Sequence, residues 1–118
     1  MEGKVLDLVL AGQWYDMIER GEKPTEFRVC SPHNASRICT HYDKRYNTEF
    51  VCHHHCDWAY KCGVKVPSDV KYVRLRRGYT KTAMLFEVRR LYIAEGEHEL
   101  GAPYYPVFNI ELGKKLSK

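Results

Sequence analysis

Apolar and polar positions alternate along five segments of the chain, and this period of two is the pattern of half-buried strands. In the third segment Val73 and Leu75 fall on one face, with Tyr72, Arg74 and Arg76 on the other. We expect the apolar pair to point into a core and the other three side chains to face outward. By this pattern the predicted strands cover residues 5–10, 25–30, 71–76, 83–93 and 107–112. The predicted fold is therefore mainly β.

One helix is predicted between the first two strands, over residues 13–20. Trp14, Met17 and Ile18 recur at the i, i+3, i+4 spacing that gives a helix one apolar face, so Trp14 is expected in the core. Gly21 follows Arg20, in the position where a left-handed residue commonly ends a helix. The helix is therefore expected to stop at Gly21.

The junction between this helix and the second strand carries the pattern Gly21-x-Lys23-x-x-Glu26-x-Arg28. Along the second strand, alternation places Glu26 and Arg28 on one face and Phe27 on the other. A carboxylate and a guanidinium are thus expected side by side, three and five residues after a lysine.

This junction, together with segments near both ends of the chain, resembles the ASCH domain, a small β-barrel of the PUA-like superfamily. The chain is similar to small ASCH proteins of phages and prophages. The resemblance implies a single domain over residues 1–118: a five- to six-stranded PUA-like barrel with a helix between its first two strands. A Cys/His-rich insert at about residues 31–68 falls outside the resemblance. The matching stretches beyond the junction are 6–10, Trp14, Ile18, 74–80, 84–88 and 107–113.

Composition agrees with one folded domain. The 118 residues are a usual domain size, and 44% hydrophobic with 29% charged residues is ordinary for a globular protein. The net charge of +4 is compatible with a polyanionic partner without requiring one. No apolar run approaches the ~18 residues of a membrane-spanning helix. We expect the protein to lie in the cytoplasm of a bacterial or phage-infected cell. In that reducing compartment its five cysteines are not expected to form a disulfide framework.

Basic and aromatic side chains predict a cleft that binds RNA or a nucleotide-like ligand. The resemblance implies that Lys23, Glu26 and Arg28 face this cleft. The alternative is that the basic residues are the solvated face of a β-ribbon, with Glu26 paired to an arginine across the sheet. A predicted hairpin adds groups that can contact phosphates or stack on a base: Arg74, Arg76, Arg77, Tyr79, Thr80 and Lys81.

Lys23 and Glu26 are also candidate catalytic residues of a hydrolase. One branch of the ASCH family resembles a small amidohydrolase that removes an acyl group from a modified cytidine, using a Lys and a Thr of the junction and a later carboxylate. Lys23 matches that Lys, but Glu26 stands in the place of the Thr, and Thr25 is expected on the opposite face. A lysine beside a carboxylate can still act as general acid and base on an amide or a phosphodiester. The alternative role of the pair is a salt bridge that orients the cleft.

The expected insert concentrates soft metal ligands. Four thiolate or imidazole groups arranged tetrahedrally would hold a structural Zn²⁺ and could order a segment with few apolar residues. The spacing departs from the tight Cys-x2-Cys knuckle, so buried or free thiols are the alternative, and Cys30 is expected in the second strand. The candidate zinc ligands are Cys39, Cys52, Cys56 and Cys62, with one of His53 to His55 as an alternative fourth ligand; His41 and Trp58 lie in the same insert.

Glycine and proline mark the expected connections. Gly78 centres a turn, and the fourth strand is long enough to contain a bulge near Glu87 and Val88. Residues 96–106 are expected to form a surface loop, and the tail over residues 113–118 to fray.

The sequence leaves three functions open. The first is an RNA- or nucleotide-binding module, and the second is a hydrolase acting on a modified nucleoside or on RNA. The third is a phage-encoded interaction protein whose basic face meets a host protein, with the Cys/His insert as the contact and no nucleic acid bound.

Overall fold

Five strands form one curved sheet in a computed structural model, which describes residues 3–40 and 68–117. The architecture is mainly β with α, as predicted, and the sheet forms half of a barrel. Within the described residues, no helix is both long and apolar enough to cross a membrane. The strands are β1 (Lys4–Leu10), β2 (Thr25–Arg28), β3 (Val70–Arg77), β4 (Ala83–Ala94) and β5 (Val107–Ser117). The helices are α1 (Gly12–Glu19), α2 (Pro32–Ile38) and a 3₁₀ turn (His98–Leu100).

The order of the strands places β1 and β2 at the two ends of the sheet. That order is β1-β3-β4-β5-β2, in which β1 pairs with β3 in parallel and all other neighbours are antiparallel. Arg28 on β2 nevertheless reaches β1, because its Nη2 donates a hydrogen bond to the Val9 carbonyl oxygen at 2.9 Å. The sheet is therefore curved enough to bring its two ends within the reach of one side chain.

One face of the sheet holds the core. Val73 and Leu75 on β3 are each 0% exposed, which confirms their predicted inward orientation. In register with them on β1 are Leu6 and Leu8, both buried, and Asp7 between these leucines is exposed. Helix α1 adds Tyr15 to the same cluster. Each fully buried aliphatic side chain stabilises the fold by roughly 1.5–3 kcal/mol, so the alternation on β1 and β3 fixes which face of the sheet is buried.

Three predicted details of the chain path are confirmed. Gly21 follows α1 with φ of +83°, and Gly78 lies in the β3–β4 turn with φ of +57°. Both values are in the left-handed region that favours glycine. The bulge is present as well, because the β4–β5 register shifts on both sides of Val88.

The prediction that the C-terminal tail frays was wrong. Strand β5 continues to Ser117, and the pairs Phe86↔Lys115 and Leu85↔Ser117 keep its end against β4. The reason is the length of β4, which runs from Ala83 to Ala94 and offers a hydrogen-bonding partner to the whole of β5.

The start of the expected insert contains a helix that the strand pattern did not predict. Ser31 caps α2, since its Oγ accepts a hydrogen bond from the Asn34 backbone N–H at 3.2 Å, and a proline lies in the first turn. Ala35 and Ile38 are buried in the core cluster. Cys30 is buried as well, but β2 ends at Arg28, so its predicted place in the strand was wrong.

Candidate functional site

A cleft of about 310 Å³ lies between the end of β1 and β2. The two end strands of the sheet line it together, and α1, α2 and the loop after the 3₁₀ turn complete the walls. The side chains that give the cleft its chemistry are Trp14, Lys23, Glu26, Phe27, Arg28 and Asn34. The three charged residues of the junction pattern are thus together in one cleft.

Lys23 lies at the floor of the cleft and is only 2% exposed. Its Nζ donates a hydrogen bond to the Leu100 carbonyl oxygen and lies 3.5 Å from Glu26 Oε1. The same Nζ is 4.9 Å from the centre of the Trp14 ring and 4.7 Å from that of Phe27, distances at which a cation is attracted to an aromatic face. Burial lowers the pKa of the Lys23 ammonium from its usual 10.5, and the Glu26 carboxylate acts in the opposite direction.

Glu26 is buried at 5% exposure and is held between two cations. Its Oε2 accepts a hydrogen bond from Arg28 Nε at 2.9 Å and lies 2.7 Å from Arg28 Nη2, while its Oε1 faces Lys23. The predicted shared face of Glu26 and Arg28 is therefore confirmed. One carboxylate between two cations leaves a net positive charge in the cleft, which favours an anionic or electron-rich ligand.

Two aromatic rings form walls of the cleft. Trp14 was predicted to lie in the core; it is half-buried, packs on the core from one side and also lines the cleft. Glycines lie against both rings: a Cβ at Gly101 would come within 3.1 Å of Trp14, and one at Gly96 within 2.6 Å of Phe27. The loop that carries the 3₁₀ turn therefore fits closely around the rings because it has hydrogen in place of side chains at these points.

Asn34 was not predicted as a site residue, although it lines the cleft from α2. Its Nδ2 donates a hydrogen bond to the Val29 carbonyl oxygen at 2.9 Å, which fixes the side chain beside the end of β2. The sequence Ser31-Pro32 is a helix start signal and could have located α2. No local pattern could have placed Asn34 in the cleft, because its position there depends on how α2 packs against β1 and β2.

The predicted basic hairpin is bound to acidic side chains of neighbouring elements. Arg74 Nη1 lies 3.3 Å and Arg76 Nη2 3.9 Å from Asp7 Oδ1 on β1. Arg77 donates to both carboxylate oxygens of Asp16 on α1 at 3.0 Å, and these hydrogen bonds lower the pKa of Asp16. Among the described residues, none of the three arginines is part of the cleft lining.

The hairpin lies beside the cleft. In the β1–β3 register Arg76 is the partner of Val9, and Val9 lines the cleft, so the two positions are one strand apart. Tyr79 is 96% exposed at the turn, where the Thr80 hydroxyl donates to the Arg77 carbonyl oxygen. The hairpin thus presents basic and aromatic groups at the exterior, next to the β1 wall.

The predicted zinc ligands fall largely outside the described residues. Cys52, Cys56 and Cys62 are outside them, as are His41 and His53 to His55. Cys39 follows α2 and is buried, and burial raises the pKa of its thiol to about 12. In residues 3–40 and 68–117, no three His, Cys, Asp or Glu side chains converge as metal ligands. The structural zinc stays a prediction.

No family model, curated protein or solved structure matches the chain.

Proposed function

We propose that the protein is an RNA- or nucleotide-binding module and that the cleft between β1 and β2 is its binding site. The observation that carries this proposal is the combination of two aromatic walls with two cations around a single buried carboxylate. Aromatic faces stack on bases, and guanidinium and ammonium groups bind carbonyl and phosphate oxygens. The resemblance of the junction pattern to ASCH domains supports the same function.

The size of the cleft favours a small part of a nucleic acid. A volume of about 310 Å³ is at the lower end for ligand pockets and suits one base or nucleoside. The rest of a strand would lie outside, where Arg74, Arg76 and Arg77 can contact phosphates once they exchange their carboxylate partners. Affinity that rests on such contacts falls as salt is raised.

Arg28→Leu tests the proposal directly. The change removes a cation that lines the cleft and leaves Glu26 with Lys23 alone, so the cleft becomes neutral. We expect affinity for a short single-stranded RNA, measured by fluorescence anisotropy at a fixed salt concentration, to fall by about tenfold, the effect of losing one charged hydrogen bond.

Arg20→Leu is the matched control. Arg20 pairs with the exposed Glu22 and is not among the described residues that line the cleft, so this variant changes the net charge equally without touching the site. Equal affinities of the two variants, or no measurable binding by the unmodified protein across a salt series, would contradict the proposed function.

A hydrolase is the second candidate, because burial lowers the pKa of Lys23 and so brings its amine closer to the range of a general base. Glu26 is less suited to activate water, since a cation already lies against each of its carboxylate oxygens. Turnover of acylated cytidine or RNA, followed by mass spectrometry and abolished in Lys23→Ala, would establish the hydrolase. If no turnover is seen and RNA binding is retained, the binding module remains the proposed function.

A further inference from the structure

The cleft also carries hydrogen-bonding groups that can distinguish one base from another. We propose that Asn34 and Arg28 together recognise the imide edge of a uracil-type ring, in which an N–H lies between two carbonyl groups. This inference rests on the proposed function, because it specifies which ligand the same cleft selects. It assigns to Asn34 a specificity role that follows from its hydrogen bonds.

The orientation of the Asn34 amide follows from its partner. The Val29 carbonyl oxygen can only accept a hydrogen bond, so the Nδ2 of Asn34 has to face it, at 2.9 Å. The Oδ1 is thereby turned away from Val29, and Nδ2 keeps a second hydrogen. Within the described part of the chain, neither group has another partner. The amide therefore offers one acceptor and one donor.

Arg28 supplies a further donor. Its Nε and Nη2 are engaged by Glu26 and by the Val9 carbonyl oxygen. Its Nη1 carries two hydrogens and has no hydrogen-bond partner among the described residues. The side chain is 23% exposed and lines the same cleft as Asn34. A ligand that enters the cleft thus meets unused guanidinium donors.

Acceptors in the cleft are scarce by comparison. The Glu26 carboxylate faces its two cations, and the Leu100 and Val9 carbonyl oxygens accept from Lys23 and Arg28. The Asn34 Oδ1 is left as an acceptor beside the donor of its own amide, and the Arg28 guanidinium, which lines the same cleft, offers a second donor. A ligand that pairs with all three groups needs one hydrogen-bond donor between two acceptors along the edge of its ring.

Among the four RNA bases, uracil alone has this edge, because its ring N–H lies between two carbonyl oxygens. Cytosine and adenine have a ring nitrogen that accepts at the central position, where it would face the Asn34 Oδ1 and leave both groups without a hydrogen. Guanine has the central N–H but a second donor in place of one carbonyl. A mismatched donor or acceptor pattern typically costs a binding site about one order of magnitude or more per base.

The aromatic walls orient a bound base so that its edge can be recognised. A planar ring that stacks against Trp14 or Phe27 is held by its face, and its edge then has to meet the polar groups of the cleft. Lys23 stabilises the walls from below, since its ammonium contacts both rings. Stacking supplies affinity for any base, whereas Asn34 supplies the choice between bases.

The test compares uridine monophosphate with 3-methyluridine monophosphate on the unmodified protein. The two ligands share phosphate, ribose and both carbonyl groups and differ at the N–H that Asn34 would bind. We expect the methylated ligand and cytidine monophosphate to bind about tenfold more weakly than uridine monophosphate by titration calorimetry. Because this arm needs no variant, it does not depend on how a substitution affects folding.

Asn34→Ala tests whether Asn34 is the residue responsible for this preference. The variant should bind uridine and 3-methyluridine monophosphate within about twofold of each other, because the acceptor that distinguishes them is gone. Ser36→Ala is the matched control on the same helix: Ser36 is exposed and its hydroxyl donates to the His33 carbonyl oxygen. This control should keep the full preference of the unmodified protein.

The outcomes separate the two proposals. Similar affinities for uridine, 3-methyluridine and cytidine monophosphate would overturn the reading role of Asn34 and leave the binding function standing. No binding by mononucleotides or by short RNA would overturn both. A uridine-containing oligonucleotide that binds with the same preference as uridine monophosphate, but more tightly, identifies RNA as the source of the ring; equal affinities identify the free nucleotide.

Discussion

At the scale of single residues, Lys23 is the unusual feature of the molecule. A buried ammonium loses its hydration, a cost of several kcal/mol that has to be offset by partners. Here the partners are the Glu26 carboxylate, the Leu100 carbonyl oxygen and the faces of two aromatic rings. Burial is the largest influence on the pKa of Lys23 and Glu26 the next, so the carboxylate partly offsets the effect of burial.

Glu26→Gln should lower the pKa of Lys23 further. The substitution keeps the shape of the side chain and removes the charge that favours the protonated amine. An NMR titration of the lysine side-chain signals measures this directly. We expect the Lys23 signal to titrate below its usual 10.5 in the unmodified protein and lower still in the variant.

The same pKa has a consequence for stability. In the folded protein the pKa of Lys23 lies below the usual 10.5 that applies when the chain is unfolded. Between these two values the unfolded chain binds more protons, so the contribution of Lys23 to stability becomes more favourable as pH rises through that window. If Lys23 titrates at its usual 10.5 in both the unmodified protein and Glu26→Gln, the lowered pKa and the effect of Glu26 on it are contradicted.

At the scale of elements, the sequence predicted the strands well, most clearly β1 and β3, in which buried positions alternate with more exposed ones. Period-two alternation located all five described strands, and glycine at Gly21 and Gly78 located a helix end and a turn. Helix α2 was missed because it is short and has few apolar residues, so its packing with the core is not visible in a local pattern. The junction pattern contains Lys23, Glu26 and Arg28, which lie together in the cleft, whereas the position of Asn34 depends on contacts between α2 and the end of β2.

Gly101, in the loop after the 3₁₀ turn, lies against Trp14 in the wall of the cleft and so affects the shape of the cleft. It has φ of +102°, and a Cβ there would approach the Trp14 ring to 3.1 Å. Gly101→Ala should therefore destabilise the protein by about 1–3 kcal/mol through backbone strain and a displaced ring. Chemical denaturation measures the free energy of unfolding. The change in tryptophan fluorescence relative to the unmodified protein, to which Trp58 also contributes, reports displacement of the Trp14 ring.

Gly78→Ala separates strain from packing. Gly78 also has a left-handed φ, of +57°, but a Cβ there would meet nothing within 4 Å. We expect this variant to lose about 1 kcal/mol of stability from strain alone and to keep the fluorescence of the unmodified protein. If both variants lose the same stability and neither changes the fluorescence, Gly101 does not position Trp14.

At the scale of the whole molecule, the distribution of charge matters more than the net +4. The hairpin arginines are partly neutralised by carboxylates: Asp7 faces Arg74 and Arg76, and Asp16 binds Arg77 through two hydrogen bonds. Ion pairs between exposed groups contribute little to stability, typically about 0–1 kcal/mol. Their larger effect is to set how much positive potential the exterior beside the cleft presents to a polyanion.

Asp7→Asn should therefore strengthen the binding of RNA. The substitution releases Arg74 and Arg76 while leaving the cleft side chains unchanged. The log–log plot of affinity against salt should become steeper by about 0.7 for each phosphate newly contacted, since each contact on a single strand releases about that much counterion. Anisotropy titrations of one RNA at several salt concentrations measure both the affinity and the slope.

Glu22→Gln is the control for this prediction, because it adds the same unit of charge through a carboxylate that pairs with Arg20 and not with the hairpin. A general effect of net charge would strengthen binding equally in the two variants, and the hairpin would then have no particular part in holding the strand. A steeper slope in Asp7→Asn alone would mean that the strand leaves the cleft across β1 towards β3. That path follows from the register in which Val9 of the cleft wall is the neighbour of Arg76.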